Sequence, residues 1–138
     1  MSYKYLEHST DAFIEVKAKN LEEAFSVAGK SVVETIIDLE NIQEIEEKSV
    51  KVKGRNLLNL LYNWLEEIVT ITITDGFAIK KFSVNIKKNT EYEIVSKVSG
   101  EKLDLKKHNF KIEIKSPTFH LMEIKENDEI TMQYLLDL

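Results

Sequence analysis

Hydrophobic and polar positions recur along this 138-residue chain with two different periods. Behind Asn20, apolar residues return every three to four positions, which is typical of an amphipathic helix. Asn20 is a suitable helix cap, and Glu22 and Glu23 fall in the first turn, where the helix dipole favours anions. The pattern predicts a helix from Asn20 to about Asp38. Its apolar stripe comprises Leu21, Ala24, Phe25, Ala28, Val32 and Ile36.

A second apolar stripe at helical spacing follows Asn56, another suitable cap. Its far end is ambiguous, because residues 68–74 are all β-branched and lead into Asp75 and Gly76, a pair typical of hairpin turns. Propensity alone favours a strand there. We expect the helix to continue somewhat past Ile68, since it would otherwise be short. The stripe comprises Leu57, Leu58, Leu61, Trp64, Leu65 and Ile68.

Alternation with a period of two predicts strands over most of the remaining chain. Two early helices and many late strands predict an α+β fold, with the helices packed on one face of a largely antiparallel or mixed β-sheet. The length suits one domain over residues 1–138, and no linker divides it. The predicted strands are 12–18, 49–53, 82–86, 92–99, 110–115, 120–124 and 130–136.

The amino-acid composition limits the kinds of metal site, nucleophile and membrane segment that the chain can contain. The chain has no cysteine, which excludes thiolate metal sites and cysteine nucleophiles, so a metal would be held by oxygen or histidine. No apolar run approaches the roughly 20 residues that a membrane span requires, and the first residues lack a signal core. We therefore expect a soluble cytoplasmic protein.

The net charge of the chain argues against direct binding of nucleic acids. The net charge is −5, and Arg55 is the single arginine, so the field of the whole molecule repels phosphate backbones. We expect no direct nucleic-acid binding, whereas a basic protein partner would suit an acidic surface. The sequence contains no glycine-rich phosphate loop, nucleophile elbow, metalloprotease helix or dinucleotide fingerprint.

Two clusters near the chain termini could bind a cation. Residues 7–11 place two carboxylates, an imidazole and two hydroxyls in five positions, although Ser9, Thr10 and Asp11 could simply satisfy the backbone of a tight turn. Asp137 lies beside the α-carboxylate of Leu138, an arrangement that suits a hard cation such as Ca²⁺, Mg²⁺ or Mn²⁺. Asp137 could equally be an exposed residue at a strand end.

A third cluster surrounds Pro117, which should interrupt a strand. Lys115 and His120 flank this proline, and whether their side chains converge stays open. A metal-dependent hydrolase using His8, Asp11 and His120 is an alternative that no spacing specifically supports.

Several segments, taken in order, resemble the archease family over almost the whole chain. Residues 7–11 are similar to the family signature Glu-His-Thr-Ala-Asp, with Ser9 and Thr10 as departures. Asn20 to Phe25 resembles the start of its first helix, and residues 57–67 resemble its second helix, which supports helix through Ile68. Three further matches are Gly100-Glu101 with Asp104 and His108, the stretch Ile114 to Glu123, and the closing Asp137-Leu138.

The resemblance implies a non-catalytic accessory protein. Archeases promote guanylylation of the RtcB-type RNA ligase of tRNA splicing, permit its multiple turnover and broaden its nucleotide use. By residue matching, the resemblance implies a divalent-metal site at Asp11, Asp137 and an oxygen of Leu138. It implies roles in activation or partner contact for four further residues, namely His8, Lys115, His120 and Asp38. A chaperone-like modulator of other nucleic-acid-processing proteins remains the alternative.

Overall fold

A computed structural model of the chain describes residues 1–6 and 11–138. The strands are β1 (Ser2–Leu6), β2 (Asp11–Ala18), β3 (Glu46–Gly54), β4 (Phe77–Lys88), β5 (Tyr92–Lys102), β6 (Ser116–Glu126) and β7 (Ile130–Asp137). The helices are α1 (Leu21–Ile36) and α2 (Leu57–Val69), and a π-helical segment (Thr70–Thr74) follows α2 directly.

The α+β class is confirmed, but the strands form two antiparallel sheets where one was expected. The first sheet has the order β1-β2-β7-β6, and the second has the order β3-β5-β4. Each helix contacts both sheets, since α1 packs against β2 and β4, and α2 packs against β6 and β3. The helices therefore bury the inner faces of both sheets in one core.

Both predicted caps are confirmed. The Asn20 side chain accepts a hydrogen bond from the Glu23 N–H at 2.9 Å, and Asn56 accepts one from the Asn59 N–H at 2.8 Å. Trp64 of α2 is fully buried, and its indole N–H donates to the Phe25 carbonyl of α1 at 2.8 Å. This bond satisfies the indole while joining the two helices.

The predicted strand at 110–115 is wrong, because no continuous strand runs there. The backbone N–H groups of this segment bond to three separate places. Phe110 donates to the Leu105 carbonyl, Lys111 to that of Ile36 at the end of α1, and Lys115 to that of Asp137. Since each bond goes to a different element, the segment connects elements without forming a ladder with any of them.

The strand β1 was not predicted, and it pairs with β2 at the edge of the first sheet. β4 also begins earlier than expected, at Phe77, and a register shift lies between Ile79 and Lys81. Among the described residues, no helix is both long and apolar enough to cross a membrane.

Candidate functional site

One end of the first sheet brings together three chain segments that are distant in sequence. β2 begins at Asp11, β7 ends at Asp137, and β6 begins at Ser116. Asp11 and Ser116 are both register partners of Asp137, on its two sides. Residues directly opposite in antiparallel strands project from the same face, with Cβ atoms about 4.5–5.5 Å apart. The two aspartates therefore present their carboxylates together.

A cavity of about 540 Å³ opens at this end of the sheet. Its wall includes the two aspartates, three hydroxyl side chains and one imidazole, so it is rich in oxygen donors. The lining residues are Asp11, Tyr62, Ser116, Pro117, Thr118, Phe119, His120, Leu135 and Asp137.

An aromatic pair forms one side of the cavity. Tyr62 of α2 stacks on Phe119 of β6, with ring centroids 4.4 Å apart and planes 11° apart. Phe119 keeps 52% of its surface exposed. This pair was not predicted from the sequence, although Tyr62 lies four residues after Leu58 and so continues the apolar stripe of α2. The stack joins the helix to the edge strand beside the aspartates.

A bulge in β6 positions His120. The register against β7 shifts between Thr118 and Glu123, and Leu121 has a positive φ of 60°. The His120 N–H donates to the Thr118 hydroxyl at 3.2 Å, and the Leu121 carbonyl accepts from the Gln133 amide at 2.9 Å. These bonds fix the bulge, so His120 lines the same cavity as the two aspartates.

Pro117 does not interrupt the strand as expected, because it lies within β6 and pairs with Leu136. β6 is an edge strand, where a proline can be placed without losing a ladder hydrogen bond. The irregularity expected at Pro117 therefore occurs a few residues later, at the bulge.

Lys115 lies beside the first cavity but lines another. Its backbone N–H donates to the Asp137 carbonyl at 2.8 Å, which ties it to the end of β7. Its exposed side chain lines a neighbouring cavity of about 280 Å³, together with Glu66 and Glu113. The two cavities share Ser116 and Pro117. Lys115 and His120 thus flank one short segment while lining separate cavities.

Asp38 is bonded to Asn109 and Lys111 and does not contribute to the cavity of the two aspartates. Its carboxylate accepts a hydrogen bond from the Asn109 amide at 2.8 Å and lies 3.3 Å from the Lys111 ammonium. The hydrogen bond from Asn109 and then that from Lys111 hold the pKa of Asp38 below its ordinary value. Asp38 does not line the cavity of the two aspartates. These bonds connect the end of α1 to the 103–111 loop.

His8 falls outside the described residues, as do Glu7, Ser9 and Thr10. Leu138 is half-buried and packs against the core, which fixes the backbone next to Asp137.

The donors at this end of the sheet fit a hard divalent cation. Ca²⁺ takes six to eight oxygen ligands in general, and Mg²⁺ takes six with several waters. Within the described part of the chain, no group of three or more acidic, histidine or cysteine side chains converges on a metal position. A cation here would therefore combine the carboxylates of Asp11 and Asp137 with hydroxyl, main-chain and water oxygens.

The segment from Gly100 to His108 has a structural role. His108 is fully buried, and its Nε2 lies 2.9 Å from the Glu101 carboxylate. Its Nδ1 accepts a hydrogen bond from the Asp104 N–H at 3.0 Å, which places the ring proton on Nε2. Hydrogen bonds from His108, Lys107 and the Gln43 N–H lower the pKa of Glu101 to about 2. This cluster closes the loop that holds the end of α1.

Comparison with known proteins places the chain in one family. Residues 3–138 match the model of the Archease protein family (MTH1598/TM1083). The protein archease of Pyrococcus abyssi is 35% identical over 125 residues, which cover 90% of this chain and 88% of the relative. That of Pyrobaculum islandicum is 33% identical over 141 residues, covering 100% and 96%.

Two solved structures share the fold. The solution structure of Methanobacterium thermoautotrophicum protein 1598 superposes with a TM-score of 0.84 at 30% identity and covers 99% of both chains. The crystal structure of an archease and possible chaperone from Thermotoga maritima superposes with a TM-score of 0.63 at 20% identity, covering 98% of this chain and 96% of that one. At that identity the second match shows the fold alone.

Proposed function

Because the chain belongs to the archease family, we propose that it is a non-catalytic accessory protein that activates an RtcB-type RNA ligase in the cytoplasm. It promotes guanylylation of the ligase, permits multiple turnover in tRNA splicing and broadens the nucleotides that the ligase accepts. The observation that carries the proposal is the direct pairing of Asp11 with Asp137 on the wall of one cavity. Family membership supports an accessory role.

The pairing itself supports a cation site. Like charges placed directly opposite each other in adjacent strands repel and destabilise a sheet. A divalent ion between Asp11 and Asp137 would remove this repulsion. The ion is Ca²⁺ or another hard cation such as Mg²⁺ or Mn²⁺, since the donors are oxygens.

The site acts through the ligase. In guanylylation, a ligase histidine forms a bond to the α-phosphorus of GTP, and pyrophosphate leaves. When bound, the cation supplies positive charge that can interact with the phosphates. Asp11 and Asp137 would hold the ion, and the exposed Phe119 and His120, which line the same cavity, would offer surface that can contact the ligase. Lys115 pairs with a phosphate or an acidic ligase group.

Cation binding is tested by titration calorimetry with Mg²⁺, Mn²⁺ and Ca²⁺ separately. Asp11→Asn and Asp137→Asn should each weaken binding of the preferred ion at least about tenfold, about 1.4 kcal/mol. Asp128→Asn is the matched control, because Asp128 is exposed between β6 and β7 at the opposite end of the same strands. Unchanged affinity in both site variants would refute the metal site.

The accessory role is tested by multiple-turnover ligation with substoichiometric amounts of this protein. Wild type should increase the turnover of the ligase, and Lys115→Gln should reduce this increase. Lys125 is an exposed lysine near the other end of β6, so Lys125→Gln should leave the increase unchanged. Phosphoester hydrolysis by the isolated protein would instead favour the metal-dependent hydrolase.

A chaperone-like modulator of other nucleic-acid-processing proteins is the second candidate. The observation that favours it is the exposure of two large apolar side chains on the β6 bulge, Phe119 at 52% and Leu121 at 43%. Such a surface suits several partners. Stimulation of unrelated methyltransferases or nucleases, lost in Phe119→Ser, would support this role, whereas stimulation confined to the ligase would exclude it.

A further inference from the structure

The outer face of the three-stranded sheet has an unusual charge for this protein. The registers of β3 and β4 against β5 place four cross-strand rows on this face, opposite the inner rows that contain Val52, Ile94 and Ile86. We call this surface the lysine face. Its residues are Glu47, Ser49, Lys51, Lys53, Lys81, Ser83, Asn85, Lys87, Glu93, Val95, Lys97 and Ser99.

The lysine face is positive although the chain is negative. Five lysines against two glutamates give it a net charge of +3, whereas the whole chain carries −5. The rest of the chain therefore carries −8. All five lysines are exposed. Averaging charge over the sequence hides this local field, because strand pairing collects lysines from three separate segments.

Its ion pairs leave the lysines available. Lys97 lies 3.7 Å from Glu47, and their side chains are 66% and 60% exposed. Lys53 lies 4.0 Å from Glu91, with side chains 66% and 45% exposed. Exposed pairs of this kind are weak and are screened by salt, so phosphates can replace the carboxylates at little cost.

The shape and chemistry of the lysine face fit a nucleic-acid backbone. Strand geometry makes it about 20 Å long from Lys81 to Lys87 and about 10 Å wide. The sheet presents no aromatic ring on this side, and single-strand binders rely on such rings to stack bases. Serine and asparagine side chains lie among the lysines. They can bond to ribose 2′-hydroxyls, which are displayed in the shallow minor groove of duplex RNA.

We propose that the lysine face binds the phosphate backbone of double-stranded RNA without reading base sequence. This inference goes beyond the proposed ligase activation and does not depend on it. It differs from the sequence-based expectation of no direct nucleic-acid binding, because that expectation rested on net charge. If the ligase role also holds, the face would hold the stem of the RNA that is being joined.

The test measures anisotropy of a fluorescein-labelled RNA hairpin at several salt concentrations with the protein alone. The face variant is Lys51→Gln/Lys87→Gln/Lys97→Gln. The control variant, Lys17→Gln/Lys106→Gln/Lys125→Gln, removes three exposed lysines elsewhere. Both variants have the same net charge. Circular dichroism and urea unfolding establish that each is folded.

Wild type should bind with an affinity that falls with salt. The face variant should bind at least about tenfold more weakly, and the slope of log affinity against log salt should lose about two to three units, since each lysine contact contributes about one. The control variant should stay within about twofold of wild type.

The proposal would be overturned by absence of wild-type binding at low salt, by equal losses in the two variants, or by displacement of the RNA by poly-glutamate at lower concentrations than by unlabelled RNA. The last would indicate an acidic protein partner. Binding of a DNA duplex of the same sequence as tightly as RNA would overturn the assignment to RNA.

Discussion

At the scale of single residues, the buried pair of Glu101 and His108 makes stability depend on pH. Glu101 has its pKa lowered from 4.5 to about 2 in the folded protein. A lowered carboxyl pKa stabilises the fold above the unfolded-state pKa, and this contribution disappears as pH falls through the folded-state pKa. Its stabilising effect should therefore be complete above about pH 5 and lost between pH 4.5 and about 2.

Glu101→Gln should lower the urea midpoint at neutral pH, because the hydrogen bonds from His108 and Lys107 lose their charged acceptor. It should also flatten the decrease of stability between about pH 5 and pH 3. Glu113→Gln, at an exposed carboxylate in the next segment, is the control. A decrease as steep as that of wild type would show that other groups dominate acid unfolding.

Gly76 and Gly100 each require glycine, but for different physical reasons. A Cβ at Gly100 would lie 1.8 Å from the Ala78 carbonyl oxygen in the neighbouring strand, whereas Gly76 has open space but a positive φ of 64°. Gly76→Ala should cost about 1–2 kcal/mol of unfolding free energy from backbone strain. Gly100→Ala should cost more, about 3 kcal/mol or above, because backbone must move. Urea unfolding measures both, and the reverse order would contradict this explanation.

At the scale of elements, the β-branched run after Ile68 shows how tertiary packing decides what propensity leaves open. The run is helical through Thr74, as α2 and a π-helical segment. Thr70 and Thr72 donate their hydroxyls to the carbonyls of Glu66 and Ile68, four residues back. Thr72 is buried, so its hydroxyl needs such a partner. The predicted continuation of the helix past Ile68 is confirmed, but the sequence did not indicate that residues 70–74 would be π-helical.

The pairing of β2 with β7 predicts how a cation changes stability. With a chelator present, Asp137→Asn should raise the unfolding free energy by about 0.2–1 kcal/mol, because it removes like charges that face each other. With saturating divalent ion, wild type should become the more stable protein, since a ligand that binds only the folded state stabilises it. Thermal unfolding with and without the ion measures this. The same order under both conditions would argue against a shared cation.

At the scale of the whole molecule, sequence patterns predicted the class of fold but not the number of sheets. The alternation in β3 and β7 is similar, and only long-range pairing assigns them to different sheets. The candidate site depends on the same pairing. Asp11 and Asp137 were named as metal ligands from a resemblance, whereas their register appears only when strands from both ends of the chain pair. The stack of Tyr62 on Phe119 likewise appears only when α2 packs against β6. Whether they bind metal stays a prediction.

The most direct measurement is the rate of ligase guanylylation by GTP with divalent metal, in the presence of substoichiometric wild type, Asp11→Asn, Asp137→Asn or the double variant. Asp128→Asn is the control for the change in charge. The single variants should each lose most of the stimulation, and the double variant should lose little more, because residues that act as one unit are not additive. Full stimulation by either single variant, with a competent cognate ligase, would contradict the account.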